Sequence, residues 1–328
     1  MISIQDPARL MNPQYAALRR LLAARGVSPA DPETQSLALA RQAALSFHAL
    51  WNEMPPPVAR IAERTVAGPA GAVGVRLYWP DERPRAPVVL YFHGGGYVLN
   101  NLDTHDRLMR QLALYSGAVV VGVDYSLAPE ARYPTQLNEA LAVVDWLAAE
   151  GDALGLDVGR LVLAGDSAGA NLALATLLAL RNVGRDQAKA GLLFYGMYAV
   201  DFDTESHRRF GGGAFGLTTG RMRFFWDQYL RETADRSDPL AAPLHADLSD
   251  LPPLLLVGAG LDCLLDDTLR LAVALNEADV PHQLAVYPGV PHSFVQMSRF
   301  LDAADAVLRC AGAFVQDRVV KEERAEAA

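Results

Sequence analysis

The chain has 328 residues, 51% of them hydrophobic and 20% charged, with a formal net charge of −9. An acidic balance with no Lys/Arg-rich block excludes a surface built to neutralise nucleic-acid phosphates or to sit on an anionic membrane. The most apolar stretches, such as Leu172 to Leu180 and Leu251 to Gly258, fall well short of the ~18 residues that a membrane-spanning helix needs. The opening MISIQDPARL has an acid and a proline where a secretory signal has an apolar run, so a cytoplasmic location is expected. Cys263 and Cys310 are the only cysteines, too few for a disulfide framework or a zinc site, and each reads as a small buried hydrophobe. The length suits one large α/β core with accessories.

In chain order, residues 1–56 read as helical: Tyr15, Leu18 and Leu22 recur at helical spacing, and so do Phe47, Leu50, Trp51 and Met54, until Pro55, Pro56 and Pro57 end the segment. From Ile61 short β-type runs take over, including Gly74 to Trp79, Val88 to Phe92 and Ala118 to Asp124. An alternation follows: helix Gln136 to Ala149, strand Leu161 to Ala164, helix Ala168 to Arg181, strand Gly191 to Tyr195. Residues 201–231 interrupt it with the glycine cluster Gly211 to Gly213 and an apolar helix face of Met222, Phe225, Trp226 and Tyr229, which reads either as core or as a cap over a pocket. The alternation resumes with strand Leu254 to Val257, helix Asp266 to Ala278, strand Gln283 to Tyr287 and a last helix from about Phe294; 319–328 reads as a charged tail beyond a core of 57–318. Strands alternating with helices at this spacing predict βαβ units and a mostly parallel sheet, with chemistry at the carboxyl ends of the strands.

The strongest local signal is Gly165-Asp166-Ser167-Ala168-Gly169, a G-x-S-x-G between an apolar strand and a helix-forming run. A serine flanked by small residues can occupy a strained turn that lifts its hydroxyl out of the sheet. That hydroxyl needs a base, and the base needs a carboxylate to orient it. The order serine, acid, histidine leaves His207, His245, His282 and His292; His292 follows a strand in the turn Pro288 to Pro291, whereas His282 opens that strand and reads as structural. Asp262 lies just past its strand, while Asp266 and Asp267 read as a helix start. Acyl transfer also needs fixed N–H donors for the developing oxyanion; His93-Gly94-Gly95-Gly96 after a strand supplies them, with the amide of Ala168. His93 itself reads as a turn-stabilising hydrogen bonder. Gly211-x-Gly213-x-x-Gly216 matches a dinucleotide fingerprint but follows no strand, and no P-loop, H-E-x-x-H or C-x-x-C occurs, so no cofactor or metal is expected.

HGGG at 93–96, DYSLAPE at 124–130, GDSAG at 165–169, DCLLDD at 262–267 and His292-Ser293-Phe294, in that order over nearly the whole chain, resemble the hormone-sensitive-lipase-like branch of α/β-hydrolases, the bacterial family IV carboxylesterases similar to acetyl esterases. The resemblance implies an α/β-hydrolase fold with a helical cap made from the N-terminal helices and the insertion. It also implies a Ser167, Asp262, His292 triad and an oxyanion hole from Ala168 with two of Gly94, Gly95 and Gly96, most often the later two. Ser126, Cys263 and Ser293 stand where the family usually has Arg, Pro and Gly; the first puts local packing in doubt, the second the loop that aims Asp262. The expected activity is hydrolysis of short-to-medium acyl esters through an acyl-enzyme, with a small-molecule ester as partner; an amidase on the same triad and a ligand receptor on the same fold are the alternatives. Tyr97, Asp166, Tyr195, Phe215, Phe225, Trp226 and Phe294 are candidate pocket residues. Oligomeric state is left open by the sequence.

Overall fold

The computed structural model describes residues 7–29 and 31–326, with side chains to residue 319. Its centre is one eight-stranded sheet. β1 (Arg60–Gly68) and β2 (Gly71–Trp79) form an antiparallel hairpin at one side. β3 (Ala86–Phe92), β4 (Val119–Asp124), β5 (Leu156–Asp166), β6 (Ala188–Phe194), β7 (Leu254–Leu261) and β8 (His282–Pro291) run parallel to one another, in the overall order β1-β2-β4-β3-β5-β6-β7-β8.

The run APVVLYF in β3 is buried at every position, the pattern of a central strand covered on both faces. Because side chains alternate, Val88, Leu90 and Phe92 join one core with Leu137 of α4 (Thr135–Glu150) and Leu172 of α5 (Ala168–Asn182). Val89 and Tyr91 join the opposite core with Leu112 of α3 (Asp106–Ser116) and Leu308 of α9 (Asp302–Glu326). α8 (Leu265–Glu277) crosses from β7 to β8.

Over the carboxyl ends of the strands lie α1 (Pro13–Ala24) and α2 (Leu37–Asn52), together with α6 (Glu205–Phe210) and α7 (Thr219–Tyr229) from the insertion. Their starts are capped locally: the side chains of Asn12, Ser36, Thr204 and Thr218 accept from Gln14, Leu39, His207 and Arg221 amides. Arg41 ties α2 down, donating to both Glu130 oxygens and to the carbonyls of Val98 and Ala128.

Three local expectations need correction. β8 does not stop at Tyr287; after a register shift between Ala259 and Leu261, pairing resumes at Leu261 with Pro291, so the presumed turn Pro288 to Pro291 is the irregular end of the strand. The last helix starts at Asp302, because Phe294–Met297 form a separate 3₁₀ turn, and it runs on to Glu326 through most of the segment read as a tail. α3 was not anticipated, although Leu108, Met109 and Leu112 form its buried face and Gly117 closes it with a left-handed φ of 68°. Among the described residues no helix is long and apolar enough to cross a membrane.

Candidate active site

Ser167 sits between β5 and α5 at φ 55°, ψ −118°, a backbone conformation that costs free energy in any residue with a side chain. The surroundings fix it. Its N–H donates to the Phe194 carbonyl at 2.9 Å, and α5 comes so close to β3 that a Cβ on Gly169 would lie 1.9 Å from the Phe92 oxygen. Only glycine fits there, which is why a serine in this turn is bracketed by glycines.

His292 follows β8 directly and Asp262 follows β7 directly, so three adjacent parallel crossovers bring three distant residues together. His292 Nε2 lies 2.9 Å from Ser167 Oγ, and His292 Nδ1 lies 2.6 Å from Asp262 Oδ2. Asp262 is buried, and its other oxygen accepts the Leu264 N–H at 3.0 Å, so the carboxylate cannot swing away. With Asp262 accepting from Nδ1–H, the neutral ring keeps Nε2 free to accept the serine hydroxyl. The other histidines lie elsewhere: His207 Nδ1 is held by Thr219 at 2.9 Å and His282 Nδ1 by the Val280 carbonyl at 2.9 Å. His245 lies in a 3₁₀ turn.

The glycine turn is pinned from below. Tyr125 donates to the His93 carbonyl at 2.6 Å, and Asn100 donates to that of Gly94 at 3.1 Å. His93 bonds Gly94 O through Nδ1 at 2.9 Å and stacks on Tyr125; burial pushes its imidazole down to about 3. Gly94 N–H donates to Asp166 Oδ1 at 2.9 Å, which removes it from the expected set of oxyanion donors. The N–H groups of Gly95 and Gly96 have no protein acceptor among the described residues, and Ala168, first in α5, has no helical carbonyl for its own.

Asp166 is therefore no pocket residue. Fully buried, it accepts from Tyr91 at 2.8 Å and Gln296 at 3.3 Å and faces His105 Nε2 at 3.1 Å. Burial alone would raise its carboxyl; His105, Tyr91 and the Gly94 amide overcome that and hold it down at about 2. The family's usual Arg at 126 has a substitute too: Ser126 gives both its N–H and its hydroxyl to Glu139, at 2.8 and 2.6 Å. Cys263 is buried with its thiol raised by desolvation, and its carbonyl accepts from Ser206 at 2.7 Å, which anchors the loop behind Asp262. Ser293 takes a left-handed φ of 63°, the conformation that explains glycine as the usual occupant.

A cavity of about 400 Å³ opens over Ser167 and His292, floored by Gly95 and Gly96. Its apolar walls come from Tyr15 and Leu18 of α1, Phe47 of α2, and Met222 and Phe225 of α7. Of the aromatic wall candidates, Phe215 and Phe225 line it. The others do not. Tyr97 is buried, stacked on Tyr229 at 3.7 Å and bonded to Asn171; Trp226 is in the core beside Tyr229. Tyr195 lies edge-on to the His292 ring at 5.0 Å, with buried Phe294 against it. Residue type marked these as apolar, but only the helix orientation decides which side meets the cavity. His48, Arg19 and Arg221 also line it and were missed, since isolated polar residues on apolar helices carry no sequence signal.

A family model described as alpha/beta hydrolase fold matches residues 89–296. The chain is 39% identical over 296 residues to an acetyl esterase of Salmonella schwarzengrund, covering 89% of each. It resembles an esterase of Pyrobaculum calidifontis with a TM-score of 0.87 at 33% identity, over 94% of this chain and 98% of the other. A thermostable carboxylesterase cloned from a metagenomic library gives 0.85 at 34% identity, over 87% and 98%. The chain belongs to the α/β-hydrolase fold family, in its hormone-sensitive-lipase-like branch. It is a carboxylic ester hydrolase.

Proposed function

We propose that the chain hydrolyses short-to-medium acyl esters by a two-step serine mechanism, with Ser167 as nucleophile, His292 as general base and acid, and Asp262 as its orienting carboxylate. The observation that carries this reading is the continuous line from Ser167 Oγ through the His292 ring to buried Asp262, at 2.9 and 2.6 Å, beneath a cavity. His292 Nε2 takes the Ser167 proton as Oγ bonds to the ester carbonyl carbon. The charge that moves to the carbonyl oxygen meets the amides of Gly95, Gly96 and Ala168. Collapse releases the alcohol, protonated from His292 Nε2, and leaves Ser167 acylated. Water repeats the sequence, freeing the acid and returning the proton to Ser167. The Ser167 position carries the strain, so the hydroxyl is preorganised before substrate arrives.

In this reading α1, α2 and the 201–231 insertion act as the cap that closes the cavity, and the short acyl range follows from its size. About 400 Å³ is near the low end of the ~300–1,000 Å³ typical of small-molecule pockets. The test is a p-nitrophenyl ester series from acetyl to palmitoyl, with wild type beside Ser167→Ala. Fast turnover confined to short and medium chains, abolished in the variant, is expected. Comparable rates with palmitoyl would overturn the size assignment, and turnover that survives in Ser167→Ala would overturn the mechanism.

A further inference from the structure

Two guanidinium-bearing side chains, Arg19 of α1 and Arg221 of α7, line the cavity over Ser167, and among the described residues no Asp or Glu lines it. In a chain of net charge −9 the cavity lining is thus cationic, with Asp31 offsetting part of that charge from outside the lining. Arg221 is largely withdrawn from solvent, with a side chain 17% exposed, and is ion-paired through one Nη to half-exposed Asp31 at 3.7 Å, a contact too long to be a hydrogen bond. The Arg221 Nε is buried without an acceptor. A guanidinium presents five donors in a rigid fork suited to carboxylate oxygens, and a buried unmet donor is costly. Arg19 is exposed and is steadied by the Ala214 carbonyl at 2.8 Å.

Helix geometry sets where an anion would lie. Phe225 packs so closely on the oxyanion turn that a Cβ on Gly96 would meet its ring at 2.2 Å. Arg221 precedes it by four residues on the same cavity-facing side of α7, about 6 Å along the helix axis. Arg221 therefore stands on the same cavity wall as the ring that packs on the oxyanion turn, one helical turn further from it.

We propose that the preferred substrate is an ester carrying a carboxylate on one arm, bound by Arg221 with Arg19 at the rim. This rests on the esterase reading above and specifies its substrate class. The acyl arm is tested with 4-nitrophenyl hydrogen glutarate against its neutral methyl ester, and the alcohol arm with 4-acetoxybutanoate against its methyl ester. On one arm the carboxylate form should be favoured about tenfold in kcat/KM, mainly through KM, as for a charge-assisted hydrogen bond. That ratio should fall towards one in Arg221→Gln, survive in part in Arg221→Lys, and shrink as salt is added to wild type. No preference for the carboxylate on either arm in wild type, or a preference retained in Arg221→Gln, overturns the proposal. Calorimetric binding of both ester pairs to Ser167→Ala reads the same contact without turnover: tighter binding of the carboxylate form in one pair supports it even if the hydrolytic reading fails, and equal binding within both pairs overturns it.

Discussion

Around Ser167 the residues divide by what their neighbours allow them to do. Asp166 and Ser167 are adjacent, yet one is locked below the sheet ends and the other faces the cavity, because the strained turn sends successive side chains in opposite directions. Asp166 holds the Gly94 amide and thereby the register of the oxyanion turn above it. Asp166→Asn keeps an acceptor for Gly94 but removes the charge facing His105; a loss of about 3 kcal/mol of stability at pH 7 is expected in denaturant titrations, with kcat falling more than KM rises. The sign with pH follows from its depressed carboxyl. The unfolded chain protonates near 3.8 and the native site only at about 2, so the stabilisation is complete above pH 4 and is lost as pH falls through 2. The gap between wild type and variant should begin to narrow below pH 4; a constant gap would contradict this role.

At the scale of elements, the glycine turn and α7 are built against each other. Gly96 has a φ of 63° and no room for a methyl group against Phe225, so Gly96→Ala should displace α7 or the turn and cost at least about tenfold in kcat/KM. Phe225→Ala removes the ring instead, and should shift the preferred acyl chain by several carbons towards longer esters while leaving a cavity that destabilises the fold by about 3 kcal/mol. An unchanged chain-length profile would place Phe225 outside the acyl path. The strand and helix rhythm was legible because parallel strands such as VVLYF are apolar throughout and their crossovers amphipathic. The end of β8 was not: Pro288 and Gly289 read as a turn, and only pairing of Leu261 with Pro291 shows the strand continuing to the residue before His292. Ser167 could be picked out from its glycine-flanked place between an apolar strand and a helix, and Asp262 and His292 from their order after it and their places just past apolar strands. The cavity wall could not be, since it depends on how α1, α2 and α7 are rotated, and a helix face that meets a cavity has the same apolar pattern as one that meets the core.

Over the whole molecule, the two cores on either side of the sheet are apolar, and the layer between sheet ends and cap holds the buried titratable groups. His93 titrates at about 3 in the fold, chiefly because burial disfavours its cation, while the unfolded chain takes up that proton near 6.5. Stability should therefore fall with acidification across this window by about 1.4 kcal/mol per pH unit from His93, with His48, lowered to about 4, adding in the same direction. Unfolding curves of wild type and His93→Asn between pH 6.5 and 4 should differ in slope by about one proton; parallel curves would contradict the assignment. The most direct test of the account as a whole is covalent trapping. Wild type treated with a small p-nitrophenyl alkylphosphonate should gain one phosphonyl group by intact mass, mapped by peptide analysis to Ser167, with activity lost in step and no adduct on Ser167→Ala. Labelling at another residue, or labelling that persists in the variant, would contradict Ser167 as the nucleophile.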